Sequence, residues 1–358
     1  MVQAICRTSP RVARLLVALL AILLLACAGR MARGQSAKSG ASATLRRGYE
    51  LSRAAASEAE FARVLALCDE AATQGIQSPS ADRYEAKLRL WALEARATLR
   101  KDESRFAEAI ADLDEALRID PQRVTALRLR GVCLAKLGRH DEAFVDLDRA
   151  IELGRGDARS YIQRAEANYA IGRYRESLHD YEQALRLQPE DAAALVGRGH
   201  AKYRLGQIPA AVKDYTAAIK LRPRDATLYT QRGNAYADTG RYTEAAADFR
   251  RAMKLDPNYG RAYQSAAWLM ATCPDARYRD NDLAMHLAKR AIDLDGKSNH
   301  RYLETLAAAL ANAGYFEEAR EVQDRALQRA PEKALANAQR KRDLFAAGRP
   351  YRQAASRR

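Results

Sequence analysis

Alanine recurs in this 358-residue chain at a fixed interval of 34 residues. The residues that keep this interval are Ala116, Ala150, Ala184, Ala218 and Ala252. The same local pattern places Ala71 before them, and Ala291 and Ala326 after them. A period of about 20–50 residues is typical of an array of stacked supersecondary units. The interval therefore favours a solenoid over a single globular core.

Other residue classes follow the same phase when each alanine is taken as position 27 of its unit. Position 15 holds the turn residue Gly138, Gly172, Gly206, Gly240 and Gly314. Glycine accepts the positive φ that ends many helices, so these positions predict a turn between two helices. Position 8 is small and position 24 is large, as in Leu113, Leu147, Tyr181, Tyr215 and Phe249. The small residues are expected to let the two helices approach closely.

With these residues in phase, the chain resembles the tetratricopeptide repeat family over about residues 45–333. The resemblance implies an all-α fold, a right-handed superhelical solenoid of antiparallel helix pairs with a concave groove. We expect about eight units, at residues 45–78, 90–123, 124–157, 158–191, 192–225, 226–259, 260–298 and 300–333. A capping helix is expected at 334–347, because terminal repeats need a polar cover. Residues 348–358 are expected to form a basic disordered tail.

Arginine at position 7 and aspartate at position 23 occur together. Five units carry both, from Arg96 with Asp112 to Arg232 with Asp248. The three irregular units carry neither, since apolar residues replace both partners there. Pairing between neighbouring units would leave Arg96 and Asp248 without partners. The pattern therefore predicts one structural ion pair inside each regular unit.

The N-terminus has the composition of an export signal. A basic stretch precedes an uninterrupted apolar run from Leu15 to Cys27, which is short for a membrane span. Residues 1–28 are therefore predicted to be a cleaved signal peptide and residues 29–42 a flexible leader. Cys27 also follows a sequence that resembles a bacterial lipobox, so lipidation at Cys27 is an alternative. An uncleaved anchor is a third possibility, and only these two alternatives would bring the chain to a membrane. The expected location is periplasm, cell envelope or extracellular space.

The net charge of +15 is concentrated at the two ends of the chain. Residues 1–34 carry +5 and residues 339–358 carry +6, so the 304 residues between carry only +4. A basic end is more often solvated than bound to nucleic acid, and export argues against such a partner. Nucleic acid is therefore not expected as a partner.

No sequence motif supports catalysis. The chain has no glycine-rich phosphate loop, no HExxH and no GxSxG. Its five cysteines form no CxxC pair, so neither a zinc site nor a disulfide framework is indicated. No catalytic residue, metal or cofactor is expected; an enzyme would require an unrecognised site in the groove.

A five-residue insert interrupts the unit at 260–298, where the alanine interval grows from 34 to 39. Its sequence, beginning at Cys273-Pro274-Asp275, resembles an insert of bacterial tetratricopeptide proteins. Pro274 is expected to stop the first helix and Asp280 to help cap the second. A structural loop, a partner contact and thiol chemistry at Cys273 are the alternatives for its role.

The resemblance places the binding groove on positions 2, 5, 9 and 12 of the first helices. The candidate groove residues are Arg159, Ile162, Glu166, Tyr169, His200, Tyr203, Asn234, Arg261, Gln264 and Trp268. This mixture of aromatic, amide and basic side chains suits a peptide held by a few anchors. Trp268 is either an exposed anchor or packs beneath the 271–281 insert. The sequence thus predicts an exported scaffold that binds a protein or peptide, or alternatively an envelope lipoprotein adaptor.

Overall fold

The computed structural model describes residues 40–76, 78–154, 157–295 and 299–353. Over these residues the chain forms seventeen α-helices and one short 3-10 helix, Ala276–Tyr278, and no strand. The α-helices in order are α1 (Gly40–Ser52), α2 (Glu58–Thr73), α3 (Pro79–Asp102), α4 (Phe106–Ile119), α5 (Val124–Lys136), α6 (His140–Leu153), α7 (Ala158–Ala170), α8 (Tyr174–Leu187), α9 (Ala192–Arg204), α10 (Ile208–Leu221), α11 (Ala226–Asp238), α12 (Tyr242–Leu255), α13 (Gly260–Thr272), α14 (Asn281–Asp295), α15 (His300–Asn312), α16 (Phe316–Leu327) and α17 (Glu332–Ala346). None of these helices is both long and apolar enough to cross a membrane. The predicted all-α architecture of paired helices is confirmed.

The chain divides into two compact units, residues 1–163 and 164–358, called here the N-terminal unit and the C-terminal unit. In the N-terminal unit, α3 packs on α4 and α5 packs on α6. In the C-terminal unit, α9 packs on α10, α11 on α12, and α13 on α14. There, α13 also contacts two neighbouring first helices, α11 and α15.

Close approach of the two helices in a unit depends on the small residue at position 8. A Cβ atom added to Gly233 would lie 2.6 Å from Cε1 of Phe249, which is only 1% exposed. A Cβ atom added to Gly199 would lie 2.7 Å from Cε1 of Tyr215. The large residue at position 24 therefore packs directly on the small one, as predicted. The turn glycines have the expected positive φ, for example 76° at Gly206.

Two helices begin earlier than the sequence predicted. Helix α1 starts at Gly40, inside the predicted leader 29–42, because Ala41 is already part of the core with 2% exposure. Helix α3 starts at Pro79, well before residue 90. Its start is fixed by Ser78, whose hydroxyl accepts a hydrogen bond from the Ala81 amide at 3.2 Å.

The C-terminal end differs from the prediction in one respect. Helix α17 lies where the capping helix was expected and buries Phe345, which is 1% exposed. Residues 349–353, expected to be disordered, instead contact helix α13. The predicted signal peptide at 1–28, with Cys27, lies outside the described residues.

Candidate functional site

The arginine–aspartate pairs form within units, as predicted. Nη2 of Arg164 lies 2.7 Å from Oδ1 of Asp180, and Nη2 of Arg198 lies 2.6 Å from Oδ1 of Asp214. In all five regular units the arginine donates through Nε and Nη2 to both carboxylate oxygens. The aspartates are buried, so these pairs fix the geometry of the helix pair.

The C-terminal unit contains a cavity of about 690 Å³, which we call the groove. Its walls come from the first helices α7, α9, α11, α13 and α15, with contributions from other segments. Seven of the ten predicted site residues line it, namely Tyr169, His200, Tyr203, Asn234, Arg261, Gln264 and Trp268. The periodicity of the first helices therefore brings together side chains that are almost 100 residues apart in sequence.

The other three predicted residues do not line the groove. Ile162 is buried, with 9% exposure, and therefore offers no accessible surface. Gln264, at the same position of a later unit, lines the groove and donates through Nε2 to Oγ1 of Thr305 on α15 at 2.8 Å. Arg159 and Glu166 are exposed on α7 and are not among the residues that line the groove.

Aromatic side chains form one end of the groove. The ring of His200 lies 6.2 Å from that of Tyr169 and 5.7 Å from that of Tyr215, centroid to centroid. Burial lowers the pKa of His200, so its ring is neutral at pH 7. The hydroxyl of Tyr203 donates to Oδ2 of Asp238, and burial raises the pKa of that carboxyl.

Polar side chains also line the groove. Oε1 of Gln231 is buried and has no hydrogen-bond partner within the described residues. Arg261 and Arg301 are exposed, and neither guanidinium pairs with an acid in the described part of the chain. These two charges are therefore free to meet a ligand.

Trp268 forms the other end of the groove and is half-buried. Its ring centroid lies 5.7 Å from that of Tyr351, and Nζ of Lys341 lies 4.9 Å above the Trp268 ring. Lys341 is itself almost completely buried and pairs with Glu304 at 2.5 Å. Trp268 is thus partly covered by a segment after the last helix, which neither of the two predicted alternatives included.

Several lining residues were missed by the sequence analysis. Arg301 and Glu304 occupy positions 2 and 5 of the unit at 300–333, so the same positional rule, applied to that unit, would have found them. Lys341 and Gln353 follow the last repeat and carry no periodic signal.

The insert after α13 is an ordered loop. Helix α13 ends at Thr272, just before Pro274, and Oδ1 of Asp280 caps α14 by accepting from the Leu283 amide at 3.0 Å. Both features were predicted. Cys273 is 0% exposed, and burial raises the pKa of its thiol. A buried, protonated thiol is a poor nucleophile, which disfavours the thiol-chemistry alternative.

Comparison with known proteins gives the family of the repeats. The profile described as tetratricopeptide repeat matches residues 94–158 and 196–260, and the profile described as TPR repeat matches residues 165–206. No curated protein matches the chain. The chain therefore contains tetratricopeptide repeats.

Three solved structures are similar to the chain. Yeast Tom70 is 16% identical, with a TM-score of 0.50 over 88% of this chain and 66% of that one. MamA from Desulfovibrio magneticus RS-1 is 20% identical, with a TM-score of 0.43 over 47% of this chain and 96% of that one. YrrB, described as a TPR protein with an unusual peptide-binding site, is 22% identical, with a TM-score of 0.42 over 51% and 92%. At 16% identity, the likeness to Tom70 concerns the fold alone.

Proposed function

We propose that this tetratricopeptide-repeat chain is an interaction scaffold whose groove binds an extended segment of a partner protein. The observation that carries the proposal is the groove lining, in which aromatic rings, amides and three arginines without an ion pair in the described residues, Arg204, Arg261 and Arg301, face one cavity. Aromatic and arginine side chains in a concave site are the usual anchors of a protein interface. The cavity, at about 690 Å³, has room for a few side chains of an extended peptide.

The charges of the groove favour an acidic partner segment. Lys341 is already neutralised by Glu304, and Asp238 receives the hydroxyl of Tyr203. Arg204, Arg261 and Arg301 remain as cations of the groove lining that pair with no acid in the described residues. A glutamate or aspartate of the partner would form a bidentate pair with one of these guanidinium groups.

The test is selection of twelve-residue random peptides displayed on phage against the chain, followed by binding measurements with labelled peptides. We expect acidic sequences to be enriched, and their affinity to fall about tenfold or more in Arg261→Gln or Asn234→Ala. Arg290→Gln is the matched control, because Arg290 is an exposed arginine on α14 outside the groove. Equal losses in Arg261→Gln and Arg290→Gln would reject the groove as the site.

We further propose that the scaffold acts outside the cytoplasm. The support is the sequence of residues 1–28, with the basic stretch and apolar run of a signal peptide. Lipidation at Cys27, which would make the chain an envelope adaptor, is the second candidate because of the lipobox-like residues before it.

A further inference from the structure

The insert at residues 273–280 leaves the end of helix α13 short of hydrogen-bond donors. The last carbonyls of a helix have no intrahelical partner, and Pro274 has no amide hydrogen to offer. The insert supplies some donors itself: the Asp280 amide bonds the Met270 carbonyl at 3.3 Å. Nη1 of Arg279 bonds the Cys273 carbonyl at 2.8 Å. These donors leave the carbonyls of Ala271 and Thr272 to other groups.

The segment Arg349–Gln353, called here the C-terminal segment, donates a hydrogen bond to each of these carbonyls. Nη1 of Arg352 donates to the Ala271 carbonyl at 3.2 Å, and the Gln353 amide donates to the Thr272 carbonyl at 3.0 Å. The adjacent Tyr351 places its ring against Trp268. The negative end of the helix dipole also favours the positive charge of Arg352.

These contacts place the C-terminal segment at the Trp268 end of the groove. Gln353 lines the cavity together with Trp268. The segment is half-buried and is held by individually weak contacts. They are two hydrogen bonds to carbonyls, a contact between the Thr272 and Gln353 side chains, and the ring of Tyr351, which meets Trp268, lies 5.4 Å from Nζ of Lys341 and packs against the core cluster around Phe345. Burial and the nearby charge of Arg279 lower the pKa of Arg352, so these surroundings destabilise the charged form of its side chain. Such an attachment is suited to exchange.

We propose that Trp268 and the carbonyls of Ala271 and Thr272 form a docking site for an extended segment in which an aromatic residue precedes an arginine. The chain's own C-terminal segment, through Tyr351 and Arg352, occupies this site and covers one end of the groove. A partner that uses the Trp268 end displaces it. The role of the insert, in this account, is to expose the two carbonyls that the site requires.

The first experiment uses a fluorescein-labelled synthetic peptide with the sequence of residues 349–358 and the full chain as receptor. A tethered segment competes at an effective concentration of about 1 mM, so a free peptide with a Kd of about 100 µM would be weakened roughly tenfold by it. The double variant Tyr351→Ala, Arg352→Gln is therefore expected to bind the peptide about tenfold more tightly than the wild type. Tyr315→Ala is the control, since Tyr315 is 51% exposed and lies outside the groove.

Two results would overturn the proposal. One is equal peptide affinity of the wild type and the double variant. The other is equal binding of a control peptide that carries alanine and glutamine in place of its tyrosine and the following arginine. Adding Trp268→Leu to the double variant should remove the gain in affinity.

The second experiment measures the cover on Trp268 directly. The chain has two tryptophans, so Trp91→Phe leaves Trp268 as the only one. In this background, Tyr351→Ala with Arg352→Gln should increase acrylamide quenching and shift the emission to longer wavelength. Unchanged quenching and emission would show that the segment does not cover Trp268 in solution. Neither experiment needs the unknown partner, so failure here is distinct from failure of the proposed function.

Discussion

The five buried aspartates are not equivalent, and the difference predicts unequal costs for removing their arginines. Asp214 accepts from Arg198 and also from Nζ of Lys202, at 2.8 Å. In the described part of the chain, Arg232 is the one cation that donates hydrogen bonds to Asp248. Tyr236 occupies the position in its unit that Lys202 occupies in the other. Arg232→Met should therefore destabilise the chain more than Arg198→Met.

The expected magnitudes follow from what each variant leaves behind. Methionine keeps most of the aliphatic stem, so the main change is the loss of charge. Removing one partner of a buried pair costs about 3–5 kcal/mol when the other charge is left alone. Asp248 is 6% exposed, which places Arg232→Met near the lower end, at about 3 kcal/mol. Asp214 keeps Lys202, so Arg198→Met is expected to cost about 1.5–2 kcal/mol, the lower part of the range for a hydrogen bond to a charged group.

Hydrogen exchange is the appropriate assay, because repeat arrays unfold locally and a single free energy of unfolding is not well defined. In Arg232→Met, the amides of α11 and α12 should lose protection. This loss should exceed the loss of protection in α9 and α10 of Arg198→Met. The control is Asp248→Asn, which removes the buried charge. In that background Arg232→Met should cost about 1 kcal/mol, the scale of its lost cation–π contact with Tyr236. Equal losses at both sites, or no relief by Asp248→Asn, would refute the reasoning.

Three further predictions concern other parts of the chain. Gly233→Ala should lower the melting temperature, at a cost of about 1–3 kcal/mol for overpacking, and Phe249→Leu should restore part of it, as thermal unfolding will show. Because the pKa of His200 is lowered in the folded chain, the unfolded chain binds more protons, and stability should decline as pH falls through about 6.5. In His200→Gln, the melting temperature should therefore change less between about pH 7.5 and 5.5 than it does in the wild type. Mass spectrometry of the mature protein should find a start at Gly29 without lipid; a start at a lipid-modified Cys27 would establish the lipoprotein instead.

The regular part of the fold could be predicted because each repeated residue has one local cause. Gly206 must have a positive φ, Gly199 must accept the ring of Tyr215, and Arg198 must neutralise Asp214. Each requirement is met within one unit of 34 residues and recurs in the next. The early start of α3 at Pro79 could also be predicted from the sequence, since serine followed by proline is a common helix start. The repeat pattern does not indicate it, because it lies before the first residue of the regular unit.

The C-terminal end of the groove could not be predicted, because its contacts join segments with no common period. Lys341 meets Glu304 from a helix beyond the repeats, and Tyr351 reaches Trp268 across 83 positions of sequence. The units that build this end, from α13 to α16, are two of the three that lack the arginine–aspartate pair. Within the C-terminal unit, none of the three pairs lines the groove. Positions that hold the helix pair together are thus separate from positions that face a ligand. Between residues 260 and 353 the structural ion pair is absent, and the chain instead has unpaired arginines, a half-covered tryptophan and two helix-end carbonyls bonded by the C-terminal segment. Variants in this region should therefore alter binding while leaving the regular repeats intact.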